Sequence, residues 1–535
     1  MFSCSGRTNT NSILKMKRYS IILMAICGLL LPLNQGCTDL DQRAFSEITG
    51  DQFPQTEEQA IALVGAAYTS LYPLMNHNSY FSLQEISTDE VMIPQRGSDW
   101  FDGGQWLRVH DHEYLPTEQS VNNGWNFLYG GVANCNRLIA QLETIKEDGV
   151  LEPELADAFV AELSALRALY YFWLLDAYGN VPIVTGFADA DPNPATSSRT
   201  EVFNFVEQEL LDASPLLPQE NSVATYGRMT YYVVQALLAK LYLNAEVYTG
   251  TERYADAVTA ADEVINSGLF ALESDYFANF GPNNGPGNVE TIFAIPYDEQ
   301  FGQGFNLGQM TLHYQSQQTF NMQEQPWNGY CSLQEFYNSY EDEDLRKGEF
   351  GNAGVNGNFL AGPQFTATGE RLLDTQDDGD PDGLPITFTP EINQQAPNCF
   401  RQAGARIFKY RIPNGATQHL PNDFPVLRYA DMLMTKAEAL FRQGTDLSEA
   451  LSLVNQVRGR AGVAEYSELT EENLLAERGR EFFYEGWRRQ DLIRFDAYSN
   501  SWDFKEETPD PNLRLFPIPQ NQLQANSNLV QNPGY

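Results

Sequence analysis

A short stretch early in the chain, Arg96 to Tyr114, concentrates side chains that could do chemistry. It reads RGSDWFDGGQWLRVHDHEY and combines two Trp, one Phe and two His with four acids and three Gly. Three interpretations are open at this point: a metal-dependent active site, an aromatic platform for a ligand, or a polar loop over a core. Residues elsewhere in the chain are needed to distinguish these three interpretations.

The two histidines, His110 and His112, raise the metal interpretation. On an extended segment, residues two apart face the same side. Zinc sites, however, need three or four convergent ligands. The chain has only five His, and none lies in an HExxH motif. The sequence therefore does not favour a metal site here.

A second acidic stretch, DTQDDGDPDG, is a better metal candidate. Asp378, Asp380 and Asp382, followed by Gly383, match the D-x-D-x-D-G opening of a calcium loop, where alternate carboxylates turn onto one hard cation. The twelfth position is Thr389 instead of Glu, so no EF-hand is predicted. Calcium at these three aspartates remains a prediction beside the alternative of a solvated acidic turn, and the sequence indicates no required cofactor.

A third group of charged residues lies near the C-terminus, at spacings of three, four and eight. It comprises Glu477, Arg480, Glu481, Glu485 and Arg488. Two Glu four residues apart could suggest acid–base catalysis, but adjacent Arg side chains favour the ionised carboxylates. We therefore predict ion pairs that fix helix packing.

The N-terminus carries a processing signal. A basic cluster, Lys15–Arg18, precedes the apolar run Ile21–Leu31. This run is too short to span a hydrocarbon core, which takes about 20 residues, and has the proportions of a signal peptide. Met16 is an alternative start, because the segment from Met16 forms a complete signal by itself.

The signal ends in PLNQGC, which resembles a bacterial lipobox with Cys37 as the lipidated residue. Asn34 and Gln35 depart from the commonest form, and the alternative is an ordinary signal peptide with an incidental Cys. Several acyl chains on one Cys would anchor the protein stably. Asp39 and Asp41 resemble a surface-export signal of some Gram-negative lipoproteins.

Composition excludes some classes of function. The formal net charge of −38 makes nucleic-acid binding implausible, because phosphate contacts need clustered Lys and Arg. The cysteines beyond the signal, Cys135, Cys331 and Cys399, form no CxxC pair, so a zinc site or redox centre is not indicated. We expect buried free thiols.

Helical periodicity dominates both ends of the chain. Three helices are predicted in the first third, at 56–75, 122–145 and 153–179. Two later segments, Met229–Gly268 and Leu427–Gly462, resemble tetratricopeptide helix pairs, which stack because one pair cannot bury its apolar face alone. A last helix is predicted over Glu472–Phe495.

The middle of the chain differs. From about 273 to 422 it is rich in Gly, Asn, Gln, Pro and aromatic residues and shows little helical period. This segment is too long for a simple connection. We expect a loop-rich, partly structured insert that the helical scaffold carries.

Three stretches together resemble the SusD/RagB family of nutrient-binding outer-membrane lipoproteins. They are AELSALRALYYFWLLDAYGNVPIVT; VLRYADMLMTKAEAL and VNQVRGRAG with ERGREFFYEGWRRQDLIRF; and the tail LFPIPQNQLQANSNLVQNPGY. They follow in this order behind the lipobox. The resemblance covers essentially the whole mature chain.

The resemblance implies a mainly α fold, with tetratricopeptide-like helix pairs as the scaffold and a large loop-rich insert. A signal peptide, 1–36, would precede one SusD-like domain, 37–535. Within it we expect the scaffold at about 51–272 and 423–498, the insert at about 273–422 and a C-terminal tail at 499–535.

It also implies a cell-surface protein, anchored to the outer membrane at Cys37, that forms a lid on a SusC-like TonB-dependent transporter. Members bind glycans, or in some branches peptides, and have no enzymatic activity. Two alternatives remain open. One is a lipid-anchored glycoside hydrolase, which would need two facing carboxylates, although no pair stands out. The other is a peptide-binding or structural lid.

A saccharide offers hydroxyls and apolar C–H faces, so its recognition needs aromatic rings beside acids, amides and Arg. The resemblance implies that the loops between the first helices and those of the insert face the ligand. The predicted contacts are Asp89, Arg96, Asp99, Trp100, Trp106, Trp327 and Tyr330. The alternative is that these aromatics fill gaps beneath the loops. We expect Arg96–Trp106 to form the ligand-facing loop and LRVHDHEY to be its strand-like return.

Overall fold

Helices dominate the described part of the chain, residues 56–349, 357–375 and 383–535 of a computed structural model. They are α1 Glu57–Tyr68, α2 Tyr80–Ile86, α3 Gln105–His110, α4 Gln119–Glu147, α5 Pro153–Ala177, α6 Arg199–Ala213, α7 Tyr231–Leu243, α8 Ala245–Thr249, α9 Tyr254–Ile265, α10 Leu307–Thr311, α11 Gln317–Phe320, α12 Gln334–Asn338, α13 Tyr429–Gln443, α14 Leu447–Arg460, α15 Glu471–Phe482, α16 Arg488–Arg494 and α17 Gln520–Ala525.

Local signals in the sequence set several helix ends. Thr56 caps α1, because its side chain accepts the Gln59 N–H at 3.3 Å. Ser198 and Glu201 form a reciprocal capping box at the start of α6. Gly444, at φ 64°, ends α13 in the left-handed conformation that glycine adopts most easily.

The scaffold is a series of stacked helices. α4 packs against α5, and α5 packs against α6. α7 forms a hairpin with α9, α13 forms one with α14, and the two hairpins meet where α9 contacts α13. Ala430, Leu433 and Ala437 of α13 belong to the core there, with Val258 and Ile265 of α9 packed against it. The predicted mainly α fold with tetratricopeptide-like pairs is confirmed.

Among the helices of the described residues, α5 is long and apolar enough to cross a membrane by length and composition. The fold buries 83% of its apolar 18-residue window, however. α5 is therefore a core helix of the scaffold.

The contact between α4 and α5 depends on a glycine. A Cβ on Gly131 would lie 2.2 Å from the ring of Tyr170, whereas a Cβ on neighbouring Gly130 would meet nothing within 4 Å. A pair of glycines within a helix can admit the backbone of a neighbouring element. In the structure an aromatic side chain fills the space instead.

This pair of glycines gives a matched test of the packing. We expect Gly131→Ala to lower the free energy of unfolding by about 1–3 kcal/mol, because the methyl group overpacks the contact with Tyr170. Gly130→Ala should raise it by up to about 1 kcal/mol, since alanine favours the helix interior. Thermal unfolding followed by circular dichroism compares them, and equal melting temperatures would contradict the packing described.

The segment between α9 and α13 contains mostly short strands and turns. Its described strands are β2 Thr291–Ile295, β3 Cys331–Ser332, β4 Phe359–Leu360, β5 Gly362–Pro363, β6 Leu373–Asp374, β7 Leu384–Pro385, β8 Thr387–Phe388, β9 Arg406–Ile407 and β10 Phe424–Arg428, and β1 Val91–Met92 lies earlier in the chain, after α2. They pair antiparallel as β1–β3, β2–β10, β4–β9, β5–β8 and β6–β7. The β1–β3 pair joins the segment after α2 to this middle region, so loops from both lie side by side.

The single last helix predicted over Glu472–Phe495 is wrong, because the structure breaks it into α15 and α16. Tyr484 at φ 57° and Gly486 at φ 79° turn the chain between them. The freed backbone groups have buried partners: Glu90 accepts the Tyr484 N–H at 3.0 Å, and Glu85 accepts the Gly486 N–H at 2.6 Å. Carboxyls far away in sequence therefore stabilise the break.

These two carboxyls are buried and favour the protonated form. Burial raises the pKa of Glu85 to about 8. The hydrogen bond from the Gly486 N–H and the charge of Lys409 lower this pKa, but only in part, and the charge of Glu485 raises it further. Burial also raises the pKa of Glu90 well above its usual range. Between the ordinary value of 4.5 and about 8, the folded protein therefore holds a proton on Glu85 that the unfolded chain releases.

This linkage makes the stability depend on pH. A carboxyl whose pKa is raised on folding contributes stability that is fully present below its unfolded-state pKa and is lost as pH rises through its folded-state pKa. We therefore expect the melting temperature to fall as pH rises through that window. Glu85→Gln, which keeps the shape without the charge, should weaken this decline. Glu113→Gln, at an exposed carboxylate, should leave it unchanged. A decline of the same size in Glu85→Gln would contradict the assignment.

The C-terminal acids and arginines belong to a buried ionic network. Arg480 pairs locally with Glu477 at 2.9 Å, as the spacing predicted. The other partners come from distant segments: Arg346 bridges Glu477 and Glu481 at 2.8 and 3.0 Å. Burial alone would raise the pKa of Glu477, but Arg346 and Arg480 outweigh it and hold the pKa at about 2. These glutamates stay ionised, as predicted.

Candidate functional site

A tight turn, Arg96–Asp99, carries the start of the predicted ligand-facing loop. The Arg96 and Asp99 backbones exchange hydrogen bonds of 3.0 and 3.2 Å. The middle region supports the turn, since Gln95 N–H donates to the Gln395 carbonyl and Gly97 N–H to the Pro397 carbonyl, both at 2.9 Å. The loop therefore rests on an ordered base.

Three aromatic side chains meet next to this turn. The ring centroids of Trp100 and Trp327 lie 6.5 Å apart, and His77 lies 5.8 Å from Trp100 and 5.1 Å from Trp327. The Trp100 indole N–H donates to the Trp327 carbonyl at 2.7 Å, across 227 residues of sequence. Both indoles are partly buried, so each keeps some surface open to solvent. We call this group the aromatic cluster.

The local backbone explains how Trp100 reaches Trp327. Trp100 adopts φ 60° and Asn328 φ 56°, a region that non-glycine residues rarely occupy. Gly329 is needed for the contact, because a Cβ there would lie 2.4 Å from Trp100 Cε2. Tyr330 supports the Trp100 ring edge-on at 5.8 Å. Protein contacts alone therefore hold the two indoles of the cluster together.

Three cavities open around His77 and together form one groove. The cavity on the turn side has a volume of about 500 Å³ and includes Asp99, Trp100 and Trp327. A second, of about 740 Å³, extends along the first turns of α4. A third, of about 350 Å³, reaches Arg108.

Two acids line the cavity at the turn. Asp99 accepts a hydrogen bond from the Tyr314 hydroxyl. Asp102 accepts the Trp106 indole N–H at 2.7 Å. Burial lowers the pKa of His77, which the charge of Asp102 only partly offsets, so the ring is neutral at pH 7. Exposed carboxylates beside aromatic faces form a surface that accepts hydrogen bonds from hydroxyl groups.

The structure does not place every predicted contact residue in this groove. Asp99, Trp100 and Trp327 line it, whereas Trp106 is 1% exposed and Tyr330 is 0% exposed. The last two support the loop from below, as the alternative interpretation of the aromatics held. They have no free surface to offer a ligand.

The contacts of Arg96 and Asp89 also correct the prediction that these side chains face the ligand. The Arg96 guanidinium is buried beneath its turn, where it donates to the Phe400 carbonyl and, at 2.9 Å, to the Ala403 carbonyl. Asp89 lies in a different cavity, and Arg488 binds both of its oxygens at 2.7 Å. Both side chains therefore hold the fold together.

The segment LRVHDHEY is not a strand-like return, because α3 continues through His110. His110 and His112 are buried, and their Nε2 atoms bond the carbonyls of Asp503 and Ser87 at 2.9 Å. Burial lowers the pKa of His110 to about 4. Among the described residues no three His, Cys, Asp or Glu converge on a metal site.

Two further predictions concern residues that the structure does not describe. Cys37 precedes residue 56, and Asp378, Asp380 and Asp382 fall in the gap between 375 and 383. Lipidation and calcium binding stay predictions. The three cysteines in the described part of the chain, Cys135, Cys331 and Cys399, are free and buried, as expected.

Sequence reasoning missed His77, Asp102 and Gln325, which also line the groove. His77 follows the short 3-10 helix Thr69–Met75 in the stretch MNHNS, where asparagines mark a break in the helical pattern. That break signals a loop. Nothing in the local sequence indicates that the loop meets Trp327, because tertiary contacts bring the two together.

Comparisons with known proteins agree with this architecture. A profile described as the SusD family matches residues 289–535, and one described as starch-binding, associating with outer membrane, matches 47–243. The starch-binding protein SusD of Bacteroides thetaiotaomicron is 27% identical over 86% of this chain and 86% of its own length. SusD-like protein P2 of Formosa agariphila is 25% identical over 97% of this chain and 100% of its own.

Solved structures share the fold. A SusD superfamily protein from Parabacteroides distasonis aligns with a TM-score of 0.71 at 23% identity, over 89% of this chain and 99% of that one. Surface glycan-binding protein A from Bacteroides thetaiotaomicron, in complex with laminarihexaose, also aligns with a TM-score of 0.71, at 24% identity over 89% and 99% of the two chains. With the two profiles together matching most of its length, the chain belongs to the SusD/RagB family.

Proposed function

We propose that this chain is a cell-surface glycan-binding lipoprotein, anchored at Cys37, that captures oligo- or polysaccharide and delivers it to a SusC-like TonB-dependent outer-membrane transporter. The observation that carries the proposal is the aromatic cluster, in which Trp100 and Trp327 stand side by side in an open groove with Asp99 at its rim. The names of the relatives, a starch-binding protein and a surface glycan-binding protein, support it.

The geometry suits reversible capture. Indole faces cover the apolar C–H faces of sugar rings, and the carboxylates of Asp99 and Asp102 accept hydrogen bonds from hydroxyls. The two carboxylates are already held by Tyr314 and Trp106, so little ordering is needed on binding. Affinity then arises from several modest contacts, which lets the glycan pass on to the transporter.

The enzyme alternative would need an accessible acid with a raised pKa. Glu85 has such a pKa, at about 8, but it is 0% exposed and holds the Gly486 N–H. A substrate has no route to it in this fold. Burial also raises the pKa of Glu118, which lines the groove, but Glu118 is 4% exposed and pairs with Arg108 at 2.6 Å. Neither carboxyl is placed to protonate a bound glycan.

A panel of polysaccharides tests the proposal. We expect native gels that contain a bound polysaccharide to retard the purified chain, without release of reducing ends. In cells, the full chain should co-purify with a TonB-dependent outer-membrane transporter and incorporate a labelled fatty acid at Cys37, and Cys37→Ala should abolish the labelling. Failure to bind any polysaccharide, or release of sugar products, would contradict the proposal.

A further inference from the structure

The largest cavity of the groove has an unusual lining. Seven of its side chains are carboxamides, Asn76, Asn78, Gln119, Asn123, Asn126 and Gln418 among them. Phe127 and Trp327 supply apolar surface, and no Asp, Glu, Lys or Arg is among the described residues that line it. We call this cavity the amide lobe.

Protein contacts fix several of these amides. Asn123 donates to the Asn78 carbonyl at 2.9 Å, Gln522 donates to Asn126 Oδ1 at 3.0 Å, and Asn306 Oδ1 bonds His419 Nδ1 at 2.9 Å. Asn78 Oδ1 is buried, and no described protein group donates to it. A carboxamide both donates and accepts, as a sugar hydroxyl does. The amide lobe is therefore matched to an uncharged, hydroxyl-rich ligand.

The charges around the rest of the groove also favour an uncharged ligand. Asp99 and Asp102 are exposed at its rim. Arg108 is the one Lys or Arg among the described groove-lining residues, and Glu118 neutralises it at 2.6 Å while the Gly103 carbonyl takes another of its donors at 3.0 Å. A carboxylated or sulfated glycan would meet two carboxylates and no free cation, on a chain of net charge −38.

From this lining and these charges we infer that the groove selects neutral polysaccharides over anionic ones, and that the amide lobe provides sugar subsites beyond the aromatic cluster. The inference rests on the proposed function, since it names the class of glycan that the same groove takes. Like-charge repulsion at Asp99 and Asp102 rejects acidic sugars. The amide lobe adds contacts to longer neutral chains.

Charge selection can be measured on matched ligands. Native affinity gels would compare neutral polysaccharides (starch, laminarin, xyloglucan, galactomannan) with anionic ones (alginate, polygalacturonate, carrageenan). A retained neutral polysaccharide is then compared with its carboxymethyl and hydroxyethyl derivatives. We expect carboxymethylation to weaken binding by at least about tenfold at low salt, and added salt to reduce the difference. The hydroxyethyl derivative controls for the size of the substituent.

Three outcomes are distinguishable. Retention by neutral polysaccharides and by the hydroxyethyl derivative, with loss on carboxymethylation, supports the inference. Equal or tighter binding of an anionic polysaccharide overturns it but leaves the proposed function standing. No retention by any polysaccharide of either class overturns the proposed function, and the inference with it.

Variants test the two parts separately. Gln325→Lys places a free cation in the groove and should raise affinity for the carboxymethyl derivative, whereas Gln325→Met should not. Asn126→Ala combined with Gln418→Ala should weaken binding of long neutral oligosaccharides more than short ones. Gln456→Ala, at an exposed amide of α14 outside the groove, should change neither. Equal losses for long and short oligosaccharides would overturn the subsites in the amide lobe.

Discussion

Replacing Arg428 by Met is expected to destabilise the fold by about 3–5 kcal/mol, the cost of breaking a buried charge network. Arg428 is 1% exposed. Its guanidinium contacts Glu290 at 2.6 Å, Glu481 at 3.0 Å and Glu485 at 2.7 Å. Methionine fills similar space but leaves these carboxylates with one cation fewer.

In that variant Glu290, Glu481 and Glu485 would lose the cation that they share. Arg460 still pairs with Glu290 and Glu481, and Lys409 still pairs with Glu485 at 2.5 Å. Burial raises the pKa of Glu481 while Arg460 and Arg428 lower it, to a net value of about 2. Its stabilising effect is present above the unfolded value of 4.5 and is lost as pH falls towards 2.

Calorimetric unfolding at neutral pH measures the loss. The matched control is Arg253→Met, because Arg253 lies one-third exposed and pairs with Glu207 at 3.0 Å near the surface. We expect this control to cost less than about 1 kcal/mol. If both variants have melting temperatures close to that of the wild type, the buried network does not stabilise the fold as described.

The second large effect concerns binding. We expect Trp100→Ala and Trp327→Ala each to weaken binding of a retained polysaccharide about 30-fold. Covering roughly 80 Å² of indole at about 25 cal/mol per Å² gives about 2 kcal/mol, and 1.4 kcal/mol corresponds to about tenfold. Isothermal titration with the purified variants measures the change.

Trp100 also positions its neighbour, because its N–H bonds the Trp327 carbonyl. Trp100→Phe keeps an aromatic face but removes that bond, so an intermediate affinity would separate contact from positioning. Phe301→Ala is the control, since Phe301 is a highly exposed aromatic residue outside the groove. Unchanged affinity in both tryptophan variants, with melting temperatures like the wild type, would place the ligand elsewhere.

Much of the fold could be predicted from the sequence, because its signals are local. Caps such as Thr56 and the apolar period of α4, α5, α13 and α14 depend on neighbouring residues. The break after Phe482 could not be predicted in this way. It depends on Glu85 and Glu90, which lie about 400 residues earlier in the chain.

The site residues, too, could be predicted where their signals are local and could not where they depend on tertiary contacts. Trp100 and Trp327 stood out as Trp residues in polar, Gly-containing loops, and the structure brings them together. Arg96 and Trp106 lie in the same polar, Gly-containing stretch as Trp100, but the fold buries them. Local sequence gives residue type and loop character, whereas burial depends on tertiary contacts. The Arg96 guanidinium, for example, donates to the carbonyl of Phe400, 304 residues later in the chain.

The position of the sugar in a crystal structure of the chain with a retained oligosaccharide tests the central claim most directly. We expect sugar rings against the faces of Trp100 and Trp327, with hydroxyls at Asp99 or Asp102 and the glycan continuing into the amide lobe. Sugar bound only elsewhere, for instance in the separate cavity between Arg96 and Phe400, with the aromatic cluster empty, would contradict it.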